Sequence, residues 1–128
     1  MTNLEIARAY LRSLETRDGT TLSYYADDAV QTEYPNRVVP AGATRDLAGL
    51  RQANERGSQV VTDERYDVVS AVAQDDRVAL QVEWSARLNV ALGALAAGDR
   101  MRAHFGLFMT FRDGKIITQH NYDCFEPF

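Results

Sequence analysis

The N-terminal third of the chain has apolar side chains three and four positions apart, which is the spacing of one helix face. Residues 3–16 show this spacing most clearly and predict an amphipathic helix with Asn3 as its N-cap. The same spacing predicts a short second helix and a third helix, which begins after Thr44 and ends at Gly57. These two helices are predicted over residues 20–26 and 45–56.

From residue 64 the apolar period shortens to two, which is the spacing of a half-buried strand. A strand over residues 101–111 is apolar on both faces, which predicts a central place in a sheet, and the Asp113-Gly114 turn joins it to the last strand. A short strand is also predicted over residues 29–34. Helices followed by a meander of strands predict an α+β fold, with three N-terminal helices packed on a curved, mostly antiparallel sheet.

Composition narrows the class of protein. The 128 residues are expected to form one domain over residues 1–128, and 45% hydrophobic with 25% charged residues is ordinary for a globular protein. A net charge of -4 and scattered arginines argue against nucleic-acid binding. The single cysteine excludes an internal disulfide. No apolar run is long enough to span a membrane and no signal-peptide core is present, so a cytoplasmic location is expected.

The last strand carries an unusual set of polar side chains on both of its faces. Buried polar groups cost free energy unless they are paired, so the strand predicts the wall of a wet or ligand-filled pocket. The alternative is a strand end that is simply exposed to solvent. The two faces read Ile117, Gln119, Asn121 and Asp123, and Ile116, Thr118, His120 and Tyr122.

Asp123 is the candidate proton carrier on this strand. Its neighbours Tyr122, Cys124 and Phe125 suggest an apolar setting, which would raise the pKa of the carboxyl group. Such a group can exchange a proton with an acidic carbon of a substrate. The alternative is a structural carboxylate that pairs with an arginine. The histidines, Cys124 and the acidic residues have no spacing known for metal ligands, so no metal is expected.

The order of several segments resembles the nuclear transport factor two-like superfamily, and within it the SnoaL-like polyketide cyclases. The resemblance covers essentially the whole chain and implies a cone-shaped α+β barrel, a small hydrophobic or oxygenated ligand, no cofactor and a homodimer. This fold carries many activities, so the resemblance leaves the reaction open. The segments are LETRDG, YYADDAVQTEYP, the helix after Gly42, RVALQVEW, and FRDGKI followed by YD.

Individual positions refine the resemblance. Relative to the ketosteroid isomerases of the superfamily, Tyr10 matches the catalytic tyrosine, but Tyr34 replaces the general-base aspartate and Leu107 replaces a second acid. A phenol is a poor base near neutral pH, so steroid-type isomerisation is not expected. Relative to the SnoaL-like cyclases, Tyr122-Asp123 matches the aromatic-aspartate pair that acts as acid and base, and His104 is the available assisting histidine.

We therefore expect a cofactor-independent cyclase, isomerase or dehydratase that moves a proton next to a carbonyl, or alternatively a non-catalytic ligand-binding or dimerisation domain. Asp123 is the expected catalytic residue, assisted by His104 and Tyr34. The apolar outer side of the sheet is expected to be covered by a second copy of the chain. The expected substrate-binding residues are Tyr10, Trp84, Leu107, Gln119, Asn121 and Tyr122.

Overall fold

The computed structural model describes residues 1–128. Its helices are α1 (Asn3–Thr16) and α2 (Leu47–Val60), with a single 3-10 turn at Thr21–Tyr24. Its strands are β1 (Tyr25–Glu33), β2 (Ala43–Arg45), β3 (Val61–Gln74), β4 (Arg77–Leu88), β5 (Arg100–Arg112) and β6 (Lys115–Phe125).

The strands form one six-stranded sheet in the order β2-β1-β6-β5-β4-β3. Neighbouring strands are antiparallel except β1 and β6, which run parallel. The α+β class, the curved and mostly antiparallel sheet and the central place of β5 are thus confirmed. The prediction of three helices is wrong. In place of the predicted second helix there is only the 3-10 turn. The chain then becomes extended at Tyr25, whose side chain is buried in the core.

The helix ends differ from the predicted ones. Thr2, not Asn3, caps α1, and its hydroxyl accepts a hydrogen bond from the Glu5 amide (3.1 Å). Arg45 does not start the next helix, because residues Ala43–Arg45 pair with β1. Asp46, not Thr44, therefore caps α2.

Gly57 also does not end α2, which continues to Val60. No atom would lie within 4 Å of a side chain at Gly57, and its φ is not positive, so nothing there requires the helix to stop. No helix in the structure is both long enough and apolar enough to cross a membrane.

A β-bulge in β6 sets which side chains face the concave side of the sheet. Thr110 lies opposite Thr118, but Phe111 lies opposite Ile116, so Ile117 is the extra residue. As a result Ile116 and Gln119 are both buried, at 0% and 1% exposure, although they are three residues apart. The predicted alternation, which put Ile117 on the same face as Gln119, is wrong at this point. The bulge lets an apolar residue close the core while the polar residues after it face a cavity.

Candidate functional site

A cavity of about 260 Å³ lies between the helices and the concave side of the sheet. One wall is polar and comes from β1, β2 and β6, whereas the other is mostly apolar and comes from the helices, β3, β4 and β5, with Asn54 and Glu64 as polar members. The polar wall contains Gln31, Glu33, Arg45, Gln119, Asn121 and Asp123. The apolar wall contains Leu11, Leu14, Leu50, Trp84, Phe105 and Leu107.

Asp123 faces this cavity from the end of β6, where it lies opposite Phe105 of β5. Its Oδ1 atom is buried and has no hydrogen-bond partner in the protein. Burial, and to a lesser extent the Glu33 carboxylate, raise the pKa of Asp123 to about 7 against the opposing effect of Arg45. Near neutral pH this carboxyl group can therefore both give and accept a proton.

Asn121 lies next to Asp123 on the same face of β6 and is held by a chain of buried hydrogen bonds. The Tyr25 hydroxyl donates to Oε1 of Gln119 (2.5 Å), and Nε2 of Gln119 donates to Oδ1 of Asn121 (2.9 Å). Since the Asn121 oxygen already accepts this bond, its Nδ2 group is left as a donor on the cavity wall.

Tyr10 lies behind this chain of hydrogen bonds rather than at the open end of the cavity. Its hydroxyl is 2.7 Å from the Tyr25 hydroxyl and 3.5 Å from Nε2 of Gln119. Burial raises the pKa of the Tyr10 phenol, so this side chain stays neutral. Tyr10 lines the cavity, but its nearest polar partners are protein groups.

Glu33 and Arg45 form a largely buried ion pair on the polar wall, which the sequence analysis missed. Nη1 of Arg45 donates to Oε1 of Glu33 (2.8 Å) and to Oε1 of Gln31 (3.2 Å). Arg45 was assigned to a helix, which hid its position in β2 beside β1. The alternation of Gln31 and Glu33 within the predicted first strand was the available signal that both face the same side.

Trp84 also lines the cavity, and a second acidic residue, Glu64, holds its indole in place. Nε1 of Trp84 and the Tyr66 hydroxyl both donate to Oε1 of Glu64, at 3.3 and 3.2 Å. The other carboxylate oxygen of Glu64 accepts from Arg17 (3.1 Å). Both oxygens of Glu64 thus have hydrogen-bond partners, so this carboxylate orients the cavity wall. Asp123, in contrast, has a buried carboxyl oxygen without a hydrogen-bond partner.

Three of the predicted site residues lie on the outer side of the sheet, away from Asp123. Strand alternation is unbroken between Ala103 and Leu107, so the buried Leu107 places His104 outside. There the His104 imidazole lies between the carboxylates of Glu83 (2.5 Å) and Glu126 (3.2 Å).

The other two are Tyr34 and Tyr122, whose rings stack on the same outer side with centroids 4.5 Å apart. The Tyr34 hydroxyl is 3.0 Å from Nδ1 of His120. Tyr34 follows the last residue of β1, and Tyr122 alternates with Asn121 and Asp123, so neither side chain points into the cavity. Assistance to Asp123 by His104 or Tyr34, and contact of Tyr122 with a ligand in the cavity, are therefore not compatible with this geometry.

A sequence model of the SnoaL-like domain matches residues 7–119. The chain belongs to the SnoaL-like domain family. The resemblance deduced from the sequence is thus confirmed for the family. No curated protein sequence matches the chain significantly.

Solved structures show the same fold for this SnoaL-like chain. It is similar to AclR, a proposed hydroxylase from Streptomyces galilaeus, with a TM-score of 0.81 and 20% identity over 98% of this chain and 80% of AclR. It is also similar to IdmH, a proposed polyketide cyclase from Streptomyces antibioticus, with a TM-score of 0.81 and 19% identity over 96% of this chain and 92% of IdmH. A protein with a ketosteroid isomerase-like fold from Catenulispora acidiphila, solved with trimethylamine, has a TM-score of 0.74 and 14% identity over 92% of this chain and 84% of that protein.

The cavity of this SnoaL-like domain thus offers a donor and a proton carrier on one strand face. Asn121 and Asp123 are two residues apart, which separates their Cα atoms by roughly 6.6 Å. At that distance, neighbouring atoms of one ligand can contact both side chains at the same time. No three His, Cys, Asp or Glu side chains are placed together as potential metal ligands.

Proposed function

We propose that this chain binds a small, oxygenated hydrophobic molecule in the cavity and that Asp123 transfers a proton next to a carbonyl of that molecule. The observation that carries the proposal is the Asp123 carboxyl group itself. One of its oxygens is buried without a partner, and its pKa of about 7 suits a general acid or base near neutral pH.

In the proposed reaction the Asp123 carboxylate removes a proton from the carbon beside the carbonyl. The C–H electron pair moves toward the carbonyl oxygen, where the Nδ2 group of Asn121 donates a hydrogen bond to the developing negative charge. Asp123 then returns the proton to another atom of the ligand. Isomerisation, ring closure by the enolate and loss of a hydroxyl group all share this first step. The apolar wall, with Trp84, Phe105 and Leu107, keeps water away and strengthens both interactions.

The similarity to IdmH supports this proposal, since that protein is a proposed polyketide cyclase. One observation favours the alternative of a ligand-binding domain without catalysis. The residues expected to assist Asp123, His104 and Tyr34, lie outside the cavity, so Asp123 would have to work as the sole proton carrier. The two functions differ in whether a bound ligand is turned over.

The test uses Asp123→Asn, which keeps the shape of the side chain and removes its proton chemistry. A ligand found by native mass spectrometry is first assayed for turnover by the unchanged protein. We expect the variant to keep its fold and to lose turnover by about 100-fold or more. The control is Asp27→Asn, at an exposed carboxylate of β1. Undiminished turnover in the Asp123 variant would show that the proton carrier is elsewhere, and binding without any turnover by the unchanged protein would establish the non-catalytic function.

We further propose that two copies of the chain pair through the outer side of the sheet, as expected from its apolar residues. Phe108 and Tyr122 are 50% and 47% exposed there, which is unusual for aromatic side chains in contact with each other. No nucleic acid or membrane partner is proposed, and a cytoplasmic location stays a prediction.

A further inference from the structure

We propose that the cavity selects ligands of one or two rings, such as small phenols and cyclic ketones, and excludes systems of three or more rings. The oxygen-bearing edge of the ring would face β6. The inference rests on the proposed function in placing the ligand inside this cavity, but it concerns the size and polarity of the ligand rather than its reaction.

The volume of the cavity sets the upper limit on size. Engineered protein cavities of about 150 Å³ accept one benzene molecule. Pockets for drug-sized ligands are about 300–1,000 Å³. At about 260 Å³ the cavity here lies between these cases, which leaves room for a second fused ring and too little for a third.

Packing around the apolar wall opposes expansion of the cavity. The rings of Trp84 and Phe105 are stacked with centroids 5.4 Å apart, and Phe125 packs edge-on against both at 6.0 Å. The Trp84 indole is also hydrogen-bonded to Glu64. A larger ligand would have to displace aromatic rings that hold one another in place, at a cost in packing.

The polar wall defines how a ring would be oriented. On β6, the Nδ2 group of Asn121 is a free donor and Asp123 has the unpartnered oxygen. A ring hydroxyl can accept from Asn121 and donate to Asp123, and a ring carbonyl can accept from Asn121. The helices on the opposite side offer Leu11 and Leu50, so the far edge of the ring is expected to be apolar.

A groove between α1 and α2 adjoins the cavity and provides a route by which a longer ligand could extend out of it. Leu14, Ala53, Asn54, Glu64 and Tyr66 line both the groove and the cavity. Ala53 therefore lies where the two spaces meet, and a larger side chain at this position reduces the space from the helix side.

The experiment compares phenol, 2-naphthol and 2-hydroxyanthracene by calorimetry and thermal shift, with naphthalene as the probe that lacks the hydroxyl. We expect 2-naphthol to bind best, and both naphthalene and 2-hydroxyanthracene to bind at least about tenfold more weakly. Ala53→Leu should weaken 2-naphthol more than phenol. Leu14→Ala should improve binding of 2-hydroxyanthracene. Val69→Ala, at an exposed position, is the control and should leave the binding of every probe unchanged.

Equal or tighter binding of 2-hydroxyanthracene by the unchanged protein would overturn the inference, and so would failure of all the probes to bind. If Ala53→Leu does not fold, Leu14→Ala alone tests the size limit. Because these are binding measurements, the size limit can hold even if Asp123→Asn leaves turnover unchanged. The failure of one proposal is thus distinguishable from the failure of the other.

Discussion

Asp123 is a carboxyl group held where its negative charge is disfavoured. Burial is the larger cause of its raised pKa, and the carboxylate of Glu33 adds to it. The sequence analysis expected this direction, but of the three neighbours that it named only Phe125 faces the same side as Asp123. Tyr122 and Cys124 alternate to the outer side, and the apolar setting comes from Phe105 across the sheet and from Trp84 beyond it. Contacts across strands are not visible in the local sequence.

The raised pKa predicts a specific dependence of stability on pH. An aspartate in the unfolded chain has a pKa of about 3.9, whereas Asp123 in the fold has a pKa of about 7. Between these values the folded chain retains a proton that the unfolded chain has lost. The free energy of unfolding should therefore fall as pH rises from about 4 to about 7, by at most about 4 kcal/mol, and the contribution of this group should be constant above that range.

Asp123→Asn removes this titration. In urea unfolding at fixed ionic strength, the variant should gain stability relative to the unchanged protein as pH rises from 4 to 8. Asp27→Asn is the control, because it makes the same chemical change at an exposed carboxylate outside the cavity. A stability difference for Asp123→Asn that is the same at pH 4 and pH 8 would mean that the carboxyl group is not disfavoured in the fold.

At the scale of elements, β6 combines three features: its start closes the core, its bulge changes the facing residues, and its end forms the polar wall. The sequence predicted the strand and the turn before it, because the alternation and the Asp113-Gly114 pair are local signals. It did not predict the bulge at Ile117 or the short strand β2, because both depend on pairing with distant segments. The Glu33–Arg45 pair was missed for the same reason.

The buried hydrogen bonds behind β6 lead to a prediction about coupling. Gln119→Leu should leave the Tyr25 hydroxyl and the Asn121 oxygen without the partner they have now, and should lower the free energy of unfolding by about 1–3 kcal/mol. Tyr25→Phe removes the other end of the same bond. The double variant should lose less stability than the two single losses added together, since each single variant already removes the same Tyr25–Gln119 hydrogen bond.

Chemical denaturation of the four proteins at one pH measures this coupling. Thr16→Val provides a comparison, because it removes an exposed hydroxyl near the end of α1, far from Tyr25 and Gln119, that donates to the Arg12 carbonyl (3.1 Å). Strictly additive losses for Tyr25 and Gln119 would show that the 2.5 Å contact does not contribute to stability.

For the whole molecule, the helices cover only the concave side of the sheet, and the outer side carries a connected apolar surface. A row of paired residues runs across it from β3 to β6. The sequence predicted this surface from the two apolar faces of β5. It did not predict that Tyr34 and His120 would extend it, because that depends on the parallel pairing of β1 with β6. The row is Val72, Ala79, Phe108 and His120.

If two copies pair through this surface, a charge at its centre should separate them. The unchanged protein should sediment at twice the 14.3 kDa mass of one chain at micromolar concentration, and Phe108→Arg should sediment as a monomer because burial of a guanidinium between apolar surfaces is costly. Val90→Arg is the matched control, since Val90 is similarly exposed but lies after β4, outside the sheet. It should remain a dimer. Circular dichroism of each variant shows whether the fold is intact. If the unchanged protein is a monomer, or if both arginine variants remain dimers, the outer side of the sheet is not the interface.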